Sequence, residues 1–199
     1  TLLITLKGTP FIYNGQEIGM LDYEHIDRKD INDVSVKSVE QILTNLHFPR
    51  KFIDKLLFNI NRDNVRSPMA WSNTRNAGFS AKGKPWLKVN ELYKKGINVS
   101  DNLSDPNSIL NYYKKLIALR NSRDVLQYGE FIPLKYGRNI ISFKRVLNEE
   151  VYLVYINLSK HRVRNKIIRL KKTLIIANYA LTEDTRYFPA YYAAIYKLD

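Results

Sequence analysis

From about residue 125 onward the chain becomes a succession of short β-rich runs, and no other feature limits its fold as tightly. The runs are "NIISFKRV", "VYLVYINLS", "KIIRL", "TLIIANYAL" and "YYAAIYKL". Their β-branched and aromatic side chains suit a pleated, half-buried surface. "LNEE" joins the first two at hairpin spacing. The pattern predicts an antiparallel β-sandwich over residues 125–199.

Residues 1–124 follow a different logic, mixing short apolar runs of helical periodicity with long irregular stretches. In "SDPNSILNYYKKLIALRN", Asp105 is placed to cap free amides and Pro106 suits a first helical position. Ile109, Tyr112, Tyr113, Leu116, Ile117 and Leu119 then form an apolar stripe. A packing helix over 107–121 is predicted. In "LKGTPFIYNGQEIGM", Gly8, Thr9 and Pro10 break a helical run, Phe11, Ile12 and Tyr13 make a short apolar strand, and Asn14 and Gly15 end it. Helix, turn, short buried strand and polar loop is the rhythm of a β/α barrel, whose active sites lie on the loops after the strands. Periodicity alone does not choose a barrel over other α/β folds.

Composition excludes several classes. With 199 residues, 45% hydrophobic and 26% charged, the chain has the balance of a soluble globular protein rather than a disordered one. No window approaches about 18 consecutive apolar residues, and the opening "TLLITLKGTP" lacks a basic leader and cleavage site. No membrane association is expected. There is no cysteine, and His25, His47 and His161 share no ligand-like spacing; no metal or cofactor is expected, and a reducing cytoplasm fits. The net charge of +13 is concentrated in "KHRVRNKIIRLKK", residues 160–172. Arg162, Arg164 and Lys166 alternate as one face of a strand would, and the segment has no aromatic residue for base stacking. A solvated strand edge is expected in preference to a nucleic-acid site.

Taken in order, "KGTPFIYNGQEIGM", "RDNVRSPMAW", "NAGFS", "KPWLKVN" and "DPNSILNYYKKLIALR" resemble the α-amylase superfamily, glycoside hydrolase family 13. The resemblance is to the branch with oligo-1,6-glucosidases and α-glucosidases, strong over residues 1 to about 125 and weak beyond. It implies the C-terminal part of a (β/α)8 barrel over residues 1–124, comprising the last strand and last helix with an irregular insertion, followed by a C-terminal β-sandwich over 125–199. A whole barrel takes roughly 250 residues, so a fragment is expected. Retaining glycosidases use two carboxyl groups about 5 Å apart, one a nucleophile and the other an acid/base. The resemblance places those groups, and a third carboxylate, upstream of Thr1, so no catalytic residue is assigned here and the chain alone is expected to be inactive.

Within the chain, Glu17, Asp22, Glu24 and Asp27 are the local candidates for a carboxylate pair; the resemblance makes Glu17 a holder of its loop and leaves the others solvated. Arg66 stands at the family's arginine before Ser/Thr-Pro-Met, which implies a contact to the glucose ring. A guanidinium offers five fixed donors to sugar hydroxyls and can be held by a carboxylate on its other side. From local sequence alone, a pair with a neighbouring acid such as Asp63 is the favoured reading of Arg66, and the resemblance turns the preference to a sugar contact. Pro68 keeps Ser67 extended, and Met69 and Trp71 are expected apolar anchors. Arg62 matches no sugar-contacting position.

Relatives carry Gln-Gly-Glu-Glu where this chain has Asn14, Gly15, Gln16 and Glu17, Gln-Trp-Asp at Ala70, Trp71 and Ser72, and Asp-Ile-Glu at Asp30, Ile31 and Asn32. Three readings follow. One is the C-terminal portion of an α-glucosidase acting on short α-linked glucosides, with self-association through an exposed barrel strand. The second is a non-catalytic glycoside-hydrolase-like partner, and the third a basic nucleic-acid module.

Overall fold

The chain's computed structural model describes residues 1–23, 27–181 and 184–199; Glu24 and His25 lie outside the described residues. The helices are α1 (Leu2–Thr5), α2 (Val34–Asn45), α3 (Arg50–Ile60), α4 (Val99–Ser104), α5 (Ile109–Asn121) and α6 (Asp124–Gln127). The strands are β1 (Glu130–Leu134), β2 (Ile140–Leu147), β3 (Glu150–Asn157), β4 (Val163–Arg164), β5 (Lys172–Ala177), β6 (Tyr187–Phe188) and β7 (Ala193–Leu198). They pack as two units, Thr1–Phe11 with Tyr112–Asp199, and Ile12–Asn111.

In the first unit, five strands form an antiparallel sheet of order β1-β2-β3-β7-β5, and β4 pairs with β6. Leu147 pairs with Glu150 across a two-residue turn in which Asn148 adopts φ +51°, the compact hairpin expected of "LNEE". Alternation sorts the side chains of β3 between two cores. Tyr152, Val154 and Ile156 join Phe143 and Ile195 against Ile4, Leu116, Val125 and Leu126. Leu153 and Tyr155 join Ala194 and Tyr196 against Ile167, Phe188 and Tyr192. Burial on both faces is why this strand reads as a continuous apolar run. Two arginines brace the helical side through backbone carbonyls. The fully buried Arg145 donates to Thr5 and Leu126 at 2.7 and 2.9 Å, and to Gly129 at 2.9 Å. Arg120 donates to Ile4, Leu126 and Gly8 at 2.7, 2.9 and 2.7 Å. Burial, with the charge of Arg120 beside it, pushes the Arg145 guanidinium below its ordinary pKa.

Several expectations change in this unit. "KIIRL" is not a strand: Asn165 Oδ1 accepts the Ile167 N–H, Leu170 N bonds Ile167 O, and the segment turns to bury Ile167. The basic residues 160–172 therefore do not form one continuous strand edge. Val163 and Arg164 pair with Phe188 and Tyr187, Lys172 opens the edge strand β5 opposite Leu198, and the Arg162 guanidinium lies 4.7 Å from the Tyr187 ring centre. β1 was absent from the sequence reading. It holds Pro133, which the sheet accepts because β1 is an edge strand. The helix predicted over 107–121 begins at Ile109, and its cap is Ser108, whose Oγ accepts the Asn111 N–H at 3.2 Å. Asp105 instead bonds Asn107 N at 2.8 Å, closing the preceding turn.

The second unit contains two small cores. Ile18, Met69, Ala70, Ala77, Val89 and Tyr93 form one. Tyr23, Ile31, Val36, Ile53 and Leu57 form the other, built on the hairpin of α2 and α3. The sequence had shown these helices only as scattered periodicity. Asp33 caps α2 by accepting the Ser35 N–H at 3.0 Å. Phe11, Ile12 and Tyr13 form no strand: a parallel barrel strand needs neighbours on both edges, and none pairs with them among the described residues. Phe11 is 83% exposed and Tyr13 60%.

Candidate functional site

The loop after Tyr13 and the strip around Arg66 face each other across a cleft. Gly15 turns the loop at φ +96°, and a Cβ there would stand 2.6 Å from Met20 Sδ, so the position requires glycine. Glu17 accepts the Gly15 N–H at 2.9 Å, and Gln16 Oε1 accepts the Tyr13 N–H at 3.3 Å. Tyr13 Oη donates to Val65 O at 2.8 Å, tying the two sides together. The cleft, about 390 Å³, presents Tyr13, Asn14, Gln16, Asp22, Asn64 and Ser67 as polar groups beside Met20, Leu21 and Val65. Hydrogen-bonding side chains, one of them the Asp22 carboxyl group, beside apolar ones suit a polyhydroxylated ligand. Arg66 itself is not among the lining residues; its neighbours Val65 and Ser67 are.

Beside this cleft lies a network of two arginines and two buried carboxylates. Asn61 Oδ1 accepts the Asp63 N–H at 3.0 Å and starts the tight turn Arg62–Arg66. Asp63 is fully buried; its Oδ2 accepts the Asn32 and Asp33 N–H groups at 2.7 and 3.1 Å, and its Oδ1 accepts Arg66 Nη2 at 2.7 Å. Asp33 is gripped from two sides by Arg62, Nε to Oδ2 at 2.8 Å and Nη2 to Oδ1 at 2.6 Å. These bonds hold the Asp33 carboxyl well below the usual carboxylate range, against burial, which pushes the other way. Buried carboxylates are tolerated when their lone pairs are filled in this way.

Arg66 therefore makes the ion pair with Asp63 that local sequence allowed. It does so with one edge: Nε donates to Arg62 O at 3.3 Å and Nη2 to Asp63, while Nη1 has no hydrogen bond among the described residues and the side chain is 39% exposed. Met69 is a buried anchor, but Trp71 is not, being 50% exposed; its N–H, with that of Ser72, bonds Ala77 O. Arg62 is not an inert neighbour, because removing it would strip Asp33 of its partner. Of the candidate acids, Glu17 holds its loop, Asp22 lines the cleft, Asp27 lies 3.9 Å from Lys29, and Glu24 is outside the described residues. Asn32, at the family's acidic position, donates its side-chain amide to Asp30 O at 3.1 Å. The sequence reading missed Asp33; its one local signal was a capping position two residues before Ser35. Among the described residues no cluster of His, Asp or Glu could hold a metal.

Comparison with known proteins gives a consistent result. Residues 1–129 match the family model for the α-amylase catalytic domain. The chain is 38% identical over 190 residues to an oligo-1,6-glucosidase of Parageobacillus thermoglucosidasius, covering 92% of this chain and 33% of that protein. Its structure is similar to that of an isomaltulose synthase from Erwinia rhapontici NX5 solved with sucrose, with TM-score 0.89 and 33% identity over 100% of this chain and 37% of the other. It is also similar to a trehalose-6-phosphate hydrolase of Bacillus licheniformis, with TM-score 0.87 and 31% identity over 98% of this chain and 36% of the other. The chain thus spans about a third of the length of the proteins it matches.

Proposed function

The chain belongs to the α-amylase family, and from that premise we propose that it is the C-terminal portion of a retaining α-glucosidase that hydrolyses short α-linked gluco-oligosaccharides. In this reading residues 1–124 complete a (β/α)8 barrel and residues 125–199 form its C-terminal β-domain. The catalytic carboxylates lie in the part of the protein outside these residues, and the compartment is the cytoplasm. The observation that carries the reading is 38% identity to an oligo-1,6-glucosidase across 92% of the chain. At the site, Arg66 is the proposed sugar contact: its Nε and Nη2 edge is held by Arg62 O and Asp63, which leaves Nη1 for hydroxyl groups.

The test is kinetic, on the full-length gene product containing residues 1–199. Arg66→Ala is expected to cost about 2–4 kcal/mol in kcat/KM on a small α-glucoside, the range for losing charge-assisted hydrogen bonds. Circular dichroism should show the fold retained. A loss that only follows unfolding would return Arg66 to a purely structural pair. A second reading, a non-catalytic partner that kept the scaffold, draws on the departures at Asn32 and Ser72, where relatives carry acids. Full-length protein that folds but does not cleave α-glucosides would favour it.

A further inference from the structure

We infer that Asp63 is a positioning residue for Arg66, fixing which edge of the guanidinium a glucoside meets; this rests on the reading of Arg66 as a sugar contact. A free arginine side chain samples many rotamers, and a ligand that must order it loses part of its binding free energy. Here the ordering is done in advance. Asp63 is fully buried, and the Asn32 and Asp33 amides hold its Oδ2 at 2.7 and 3.1 Å. That leaves Oδ1 in one place, 2.7 Å from Arg66 Nη2. With Nε on Arg62 O, one side of the planar fork is fixed and the Nη1 end is directed away from the network. Asp33 does not set this direction. Its Oδ2 is 3.8 Å from Arg66 Nη2, beyond a hydrogen bond, and both of its oxygens are bonded to Arg62.

A double-mutant cycle on the full-length gene product, with 4-nitrophenyl α-glucoside below the melting temperature of every variant, tests the inference. In Asp63→Asn the amide oxygen can keep both backbone N–H groups while its nitrogen gives Arg66 no acceptor. We expect kcat/KM to fall by about tenfold to a hundredfold with Arg66 present, and by less than about twofold in the Arg66→Ala background, where nothing remains to be positioned. An equal loss in both backgrounds makes Asp63 merely structural and overturns the inference alone. No loss from Arg66→Ala by itself removes the underlying reading of Arg66 and the inference with it. If Asp63→Asn does not fold, Arg66→Lys decides the matter. An ammonium keeps the ion pair with Asp63 but has no second edge, so kcat/KM should fall as far as in Arg66→Ala with Tm retained; full activity would overturn the inference.

Discussion

Asp33 is where a single residue links the site to stability. Its pKa is depressed chiefly by the hydrogen bond from Arg62. A carboxyl whose folded-state pKa lies below its unfolded value contributes stability above the unfolded pKa, about 3.9, and loses it as pH falls toward the folded one. Urea midpoints should therefore be insensitive to this group between about pH 7 and 5 and should drop below about pH 4. Asp33→Asn should lower the neutral plateau and flatten that acid limb; an equally steep limb in the variant would count against the assignment. Residues at this scale were only partly legible. The pair Asp63–Arg66 spans three positions and shows in the sequence, whereas Asp33 meets Arg62 across a separation of 29 positions. No local pattern encodes that meeting.

Among the elements, α5 shows how periodicity fixes a helix but leaves its start open. "SDPNS" holds four side chains of capping type, at Ser104, Asp105, Asn107 and Ser108, and the sequence favours Asp105 because Pro106 follows it. The structure uses Ser108, whose hydroxyl accepts the Asn111 N–H and donates to Asn102 O at 2.6 Å. Ser108→Ala should lower unfolding stability by about 1–2 kcal/mol and Asp105→Ala by less than half of that, measured in urea. The opposite ranking would restore Asp105 as the cap. The strands follow the same division. β2, β3 and β7 were readable because their apolar runs are long and paired along their length. "KIIRL" misled because one buried isoleucine in a turn has the composition of a strand. β1 was hidden by Pro133, which only an edge position permits.

At the scale of the whole molecule, the exposed segment Phe11–Tyr13 carries a consequence that no element shows alone. Large apolar side chains left in water on a segment that joins no sheet favour association. The 199-residue chain expressed alone should sediment as concentration-dependent oligomers and bind a hydrophobic dye, and Phe11→Ser with Tyr13→Ser should reduce both. A stable, dye-negative monomer at all concentrations would count against the open-barrel reading. Among the described residues no helix is long and apolar enough to cross a membrane. The sequence by itself determined the family, through five motifs in order, and the antiparallel character of the C-terminal runs, because motif spacing and side-chain periodicity are local properties of the chain. Only the tertiary structure decided that Phe11–Tyr13 has no strand partners among the described residues, that the "KIIRL" part of the basic segment turns instead of continuing a strand, and that two buried carboxylates sort two arginines into a brace and an open edge. Each of these depends on which distant groups fill a backbone or carboxylate hydrogen-bonding position, and that is settled only when the chain has folded.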